Sequence, residues 1–135
     1  MSQSLAQRRA AHALARVQAR EHAGKSTYGN YVAYVSALPA TILTNGLGQA
    51  AATLLSRAKG KMKDAHHLLY DDLASWLCGD DSVAPYPKHK SNGRLMTAIT
   101  TNTEADYLRA QAEALAYLVW LKKFANAFLE PGKPD

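Results

Sequence analysis

The chain has 135 residues, 47% of them hydrophobic and 20% charged, which suits one domain with its own core and excludes a disordered segment. Its one cysteine, Cys78, excludes a disulfide framework and a cysteine-based zinc site, and its longest uninterrupted apolar run, Ala114–Leu121, falls far short of a membrane span. The net charge of +5 points to acidic or polyanionic partners.

Isoleucine and valine together number seven, so strand formers are scarce and the composition predicts an all-α fold. Ser2 or Ser4 caps a first helix running to about His22, with Ala6, Ala10, Ala13, Leu14 and Val17 as its apolar side. Arg9, Arg16 and Arg20 share one face, a basic ridge beside that stripe, and Lys25 follows just past Gly24, which ends the helix. A short second helix, Tyr28–Leu38, spaces Tyr28, Tyr31, Val35 and Leu38 for packing. Its tyrosines read as core-rim residues bonded at the tip, the alternative being a platform for stacked bases.

Pro39 then opens a helix over Leu38–Arg57, with Leu43, Leu47, Leu54 and Leu55 at helical spacing and Ala50, Ala51 and Ala58 filling the same stripe. Gly46 and Gly48 lie inside this pattern, where each costs about 1 kcal/mol against alanine. Either another helix approaches closely there or the glycines form a ligand-binding turn. Gly46–Ala51 (GLGQAA) spells the dinucleotide fingerprint. That fingerprint works only between a strand and a helix, and no parallel strands are predicted, so no cofactor is expected. The glycines are therefore read as a structural seam. Gly46 and Gly48 admit the last helix and Trp120 lies on it, while Asn45 and Gln49 hydrogen-bond across the interface.

After Gly60, a fourth helix ends near Cys78, with Leu68, Leu69, Leu73, Trp76 and Leu77 as its core face. His66 and His67 are neighbours rather than one turn apart, and no other histidine has ligand spacing with them, so no metal site is expected. Residues 79–93 (GDDSVAPYPKHKSNG) are turn chemistry and read as an exposed loop. A short helix follows over Arg94–Thr101. Thr103, with Asp106 three residues on, then caps a last helix from Glu104 to about Leu129, and residues 131–135 form a tail. The middle of this helix is apolar all round, which predicts a central helix surrounded by others. Residues 1–135 thus read as a single helical domain.

The charge is clustered. Arg57, Lys59, Lys61 and Lys63 are four cations within seven residues, and Lys122 and Lys123 adjoin the central helix's apolar run. Asp64, Asp71, Asp72, Asp80 and Asp81 follow the first of these clusters and read as a solvated acidic face. Such segregation is the footprint of a polyanion-binding surface. No Ser-His-Asp, Cys-His or paired-carboxylate arrangement stands out, so the chain is not expected to be an enzyme.

Several stretches together carry a family resemblance: Leu38-Pro39, Asn45-Gly46-Leu47-Gly48-Gln49, Leu69-Tyr70, Tyr107, Ala114-Leu115 and Trp120-Leu121-Lys122-Lys123-Phe124-Ala125. In these the chain resembles the small α-helical subunit of the Cmr (type III-B) CRISPR RNA-targeting effector complex. It departs from that pattern in the small residues Ala50-Ala51-Ala52-Thr53 after Gln49 and in Lys123 where arginine is common. The resemblance implies a compact bundle of about six helices with no catalytic role. It also implies several copies stacked head to tail along guide RNA and its paired target, beside other subunits that cleave, in antiviral defence.

The expected function is thus a cytoplasmic RNA-binding structural subunit, monomeric or weakly associating when isolated, with no membrane contact. Arg9, Arg16, Arg20, Lys25, Arg57, Lys59, Lys61 and Lys63 are its candidate phosphate ligands, with Lys122 and Lys123 secondary. The acidic 64–81 stretch is the expected contact for a neighbouring copy's basic surface. The rival is a protein–protein adaptor whose cations serve only solubility.

Overall fold

The computed structural model describes residues 2–132, and these are all-α. Helix α1 (Leu5–Ala23) begins at a reciprocal cap. The Gln7 backbone N–H donates to Ser4 Oγ at 3.1 Å, and the Ser4 N–H donates to Gln7 Oε1 at 2.8 Å. Gly24, at φ +94°, turns the chain into the single turn α2 (Lys25–Tyr28).

Helix α3 (Tyr31–Asn45) runs through Pro39, which therefore does not start a new helix. Proline forfeits one backbone hydrogen bond there, and Val35, Leu38 and Ile42, all buried, hold the helix on both sides of it. The break comes at Gly46 instead, at φ +88°, and α4 (Leu47–Ala58) follows. The expected single helix over 38–57 is thus the end of one helix and the whole of another. Because the buried stripe of α3 is 31, 35, 38 and 42, Leu43 points outward and is 72% exposed rather than buried.

Helix α4 ends at Lys59, itself in the left-handed region at φ 52°. Asp64 accepts the His66 N–H at 2.8 Å and so caps α5 (Ala65–Leu77). The segment 79–93 is not simply an exposed loop. Ala84, Pro85, Tyr86 and Ser91 are buried, the Tyr86 N–H donates to the Leu77 carbonyl at 3.0 Å, and the segment contains a helical turn, α6 (Lys88–Ser91). Tyr86 belongs to the hydrophobic core. Then come α7 (Leu95–Thr101) and α8 (Glu104–Phe128). Thr103 Oγ1 accepts the Asp106 N–H at 3.1 Å as expected, while the Asp106 carboxylate takes Lys90 Nζ at 3.1 Å.

Helix α8 packs against α1, α3, α4 and α5, and α5 against α3 and α4. Ala110, Ala114, Tyr117, Leu118, Leu121 and Ala125 are its fully buried face. It is central but not surrounded: Leu108 is 57% and Val119 51% exposed, because no described element covers its outer side. No helix among the described residues is long and apolar enough to cross a membrane. Of the tail, residues 133–135 lie outside the described residues.

Candidate nucleic-acid interface

The cations fall into two groups according to what they touch. The arginines of α1 turn inward. Arg9 donates from Nε and Nη2 to Glu113 at 2.7 and 2.8 Å, and Trp76 Nε1 donates to the same carboxylate at 2.9 Å. The hydrogen bond to Glu113 raises the Arg9 pKa further above its usual value. Arg16 Nε donates to Asp72 Oδ1 at 2.6 Å, and Arg20 reaches both oxygens of Asp72 at 3.1 and 2.8 Å. The Tyr31 hydroxyl donates to Asp72 Oδ2 at 2.6 Å. Lys25 pairs with Glu130 at 3.1 Å on the surface. The basic ridge expected on α1 is therefore an internal clamp joining α1 to α5 and α8.

The same geometry corrects the reading of the acidic stretch as a solvated face. Asp72 is fully buried. Asp64 holds His66, Asp71 pairs with His67 at 3.0 Å and Asp81 takes Arg8 at 2.8 Å. Burial works against ionisation of Asp81, but the Arg8 hydrogen bond, the Val83 N–H and the charges of Arg8 and Arg9 together outweigh it, and the carboxyl titrates below its usual range. Only Asp80 of the five has no such partner among the described residues, so little acidic surface is left to face another copy. The burial of Asp72 has a sequence signal that the expectation overlooked. At 100° per residue it falls inside the arc of Leu68, Leu69, Leu73 and Trp76.

The second group faces solvent. Arg57, Lys59, Lys61 and Lys63 are exposed, and none forms an ion pair among the described residues. They lie on the end of α4 and the turn into α5, where Lys59 and Gly60 both have positive φ (52° and 78°) and reverse the chain tightly. Lys122 and Lys123 are also exposed and unpaired among the described residues. However, Asn126 Nδ2, one turn on from Lys122, donates to Ser36 Oγ at 3.3 Å. Ser36 lies about 200° round α3 from Tyr34, whose ring stacks on His66 of α5. Asn126 thus meets the Ser36 side of α3, while His66, three residues on from Lys63, meets its Tyr34 side.

The glycine stretch is a seam, by a mechanism different from the expected one. Gly46 sits between helices, not within one. An added Cβ there would lie 2.9 Å from the Tyr107 hydroxyl, whereas one on Gly48 would lie at an ordinary 3.5 Å from Ile99. The first N–H groups of α4 have no partner within their own helix. Side chains of α8 supply the partners: Leu47 N–H donates to Gln111 Oε1 and Gly48 N–H to Tyr107 Oη, both at 2.9 Å. Asn45 and Gln49 are exposed and make no side-chain bond across the interface among the described residues. Trp120 is half-buried beside Phe124 and takes no part in the seam's hydrogen bonds. Tyr107 and Gln111, which the sequence reading did not assign to the seam, lie one turn apart on α8, a spacing that puts them on one face without saying what that face meets.

Among the described residues no group of three or more His, Cys, Asp or Glu side chains is placed to hold a metal ion. The family model described as "CRISPR-associated protein (Cas_Cmr5)" matches residues 5–128. The chain is also similar to the protein of Thermus thermophilus named "CRISPR system Cmr subunit Cmr5". The two are 32% identical over 111 residues, 82% of this chain and 85% of that protein.

Proposed function

Because the chain belongs to the Cas_Cmr5 family of CRISPR-associated proteins, we propose that it is a non-catalytic structural subunit of a type III-B (Cmr) ribonucleoprotein effector. In this reading it is cytoplasmic, assembles with the other subunits and stacks in several copies along guide RNA and target RNA. The observation that carries RNA contact is the free cluster Arg57, Lys59, Lys61 and Lys63, four exposed cations unpaired among the described residues. Their phosphate contacts release counterions and read no bases, so specificity is left to guide–target pairing. Lys122 and Lys123 form a second cluster on α8, free to meet a different stretch of RNA. Arg9, Arg16 and Arg20 are held by carboxylates of α5 and α8 and rank behind the free cluster, whereas Lys25, in an exposed pair with Glu130, stays a candidate phosphate ligand. Copies in a filament use non-closing, head-to-tail contacts.

Filter binding of single-stranded RNA across a salt series tests this. Changing Arg57, Lys59 and Lys61 to alanine should weaken binding and flatten the plot of log K against log salt by about 0.7 per lost phosphate contact. Unchanged affinity and slope, with target cleavage by the assembled complex intact, would refute the assignment.

One observation favours an adaptor role instead. Leu108 and Val119 are more than half exposed on the uncovered side of α8. An adaptor loses assembly when these become serine and shows no salt-dependent RNA retention.

A further inference from the structure

A groove of about 540 Å3 runs between α3 and α4, within the size range of small-ligand sites, about 300–1,000 Å3. Its lining is chemically divided. At one end the Tyr34 and His66 rings stack, with centroids 3.8 Å apart and planes 18° from parallel. Asp64 fixes that wall by accepting the His66 N–H at 2.8 Å and meeting its Nδ1 at 2.7 Å. Toward the other end lies Asn45, whose exposed amide offers a donor and an acceptor and has no bond among the described residues. Arg57 also lines the groove, and the Lys59–Lys63 turn follows directly from it.

Each feature has one natural counterpart. A flat aromatic wall takes a base face, a free amide takes a base edge, and an unpaired guanidinium takes a phosphate. Asn45 is eleven residues along α3 from Tyr34, about 16 Å at 1.5 Å per residue, so two successive nucleotides carry all three. We propose that this groove takes two successive unpaired nucleotides of single-stranded RNA, one with its base against the Tyr34–His66 pair and its phosphate on Arg57, the next with its base edge toward Asn45. This rests on the phosphate-binding reading of the 57–63 cluster and adds to it a contact with bases. Charge favours RNA over a protein segment. The groove's free ionic group and the turn beside it are all cationic, and the nearby Asp64 is occupied by His66.

The test compares a labelled uridine octamer with an abasic ribose-phosphate octamer by fluorescence anisotropy. Ala37 lines the groove from the exposed side of α3, so Ala37→Trp fills it without removing a charge or entering the core. Asn45→Ala, at an exposed and unbonded position, is a second and milder variant. The wild-type chain should bind the uridine octamer about tenfold tighter than the abasic one. Ala37→Trp should erase that preference while leaving abasic binding intact, Asn45→Ala should reduce it, and Lys59→Ala/Lys61→Ala/Lys63→Ala should weaken both octamers alike. Equal binding of the two octamers by the wild type, still weakened by the lysine triple, overturns the groove and leaves the phosphate reading standing. Salt-steep binding of neither octamer overturns both. Ala37→Trp that keeps the base preference but no longer joins the assembled complex gives the groove to a protein segment and overturns the proposal.

Discussion

Asp72 and Arg16 are 56 residues apart in sequence and 2.6 Å apart in space, and the carboxylate between them is fully buried. Arg20 and the Tyr31 hydroxyl complete its hydrogen bonds, so one carboxylate ties α1, α3 and α5 together. Removing one partner of such a pair strands the others in low dielectric, which costs about 3–5 kcal/mol. Asp72→Ala should therefore lose at least about 3 kcal/mol in urea unfolding. Its neighbour Asp71, partly exposed and bonded only to His67, should lose no more than about 0.5 kcal/mol as alanine. Equal losses for the two would refute the clamp.

The same pairing separates arginines that fold the chain from those available to RNA. Arg16→Gln and Arg20→Gln should each lower the melting temperature and leave the salt dependence of RNA retention unaltered. Lys59→Gln and Lys61→Gln should do the reverse, since no described side chain pairs with them. A flattened salt slope in the Arg20 variant at a temperature where it stays folded would return α1 to the binding surface.

Gly46 and Gly48 look alike in sequence and should behave oppositely. Gly46 is at φ +88°, and a Cβ there would meet the Tyr107 hydroxyl at 2.9 Å, so Gly46→Ala combines backbone strain of order 1–3 kcal/mol with a clash at the seam. Gly48 is inside α4, with room for a methyl at 3.5 Å from Ile99, and Gly48→Ala should be neutral or gain up to about 1 kcal/mol in helix propensity. Thermal melts of the two variants decide this. Destabilisation by Gly48→Ala equal to that by Gly46→Ala would mean that close approach, not the chain break, governs the stretch.

Local signals in the sequence located most of the helices. Ser4, Gly24 and Thr103 mark ends that the structure places within a residue or two, because capping depends only on neighbours along the chain. Pro39 and Gly46 misled because each is a breaker, and tertiary burial of Val35, Leu38 and Ile42 decided which one acted. The split of the cations into buried clamp and free cluster was legible only in part. Asp72 sits on an apolar arc, a visible sign of burial, but nothing local says that Arg16 and Arg20 reach it from another helix. Tyr107 and Gln111 capping α4 is likewise a contact made in space, invisible to spacing on either helix alone.

His12 provides the last prediction, through pH. Its ring lies between α5 and α8, with Nδ1 2.7 Å from the Tyr117 hydroxyl and Nε2 3.3 Å from Ser75 Oγ. Ser75 in turn donates to the Asp72 carbonyl at 2.7 Å, so Ser75 Oγ is left to accept from Nε2–H and Nδ1 to accept from Tyr117, which is the neutral imidazole. Burial, and then the charge of Arg16, push its pKa below the ordinary 6.5. The unfolded chain therefore takes up this proton more readily than the folded one. Stability from this site is complete above about pH 6.5 and is lost as pH falls toward the folded value, with a slope of at most about 1.4 kcal/mol per pH unit for one proton. The carboxylates held by partners, Asp64 and Asp81, have pKa values below 3.8 and so act in a more acidic window. Urea unfolding at half-unit steps from pH 7.5 to 5 should show the wild type weakening below about 6.5. His12→Gln keeps an acceptor for Tyr117 and a donor for Ser75 without a titrating ring, and it should stay level over that range. An identical slope in the variant would mean that another group carries the acid sensitivity.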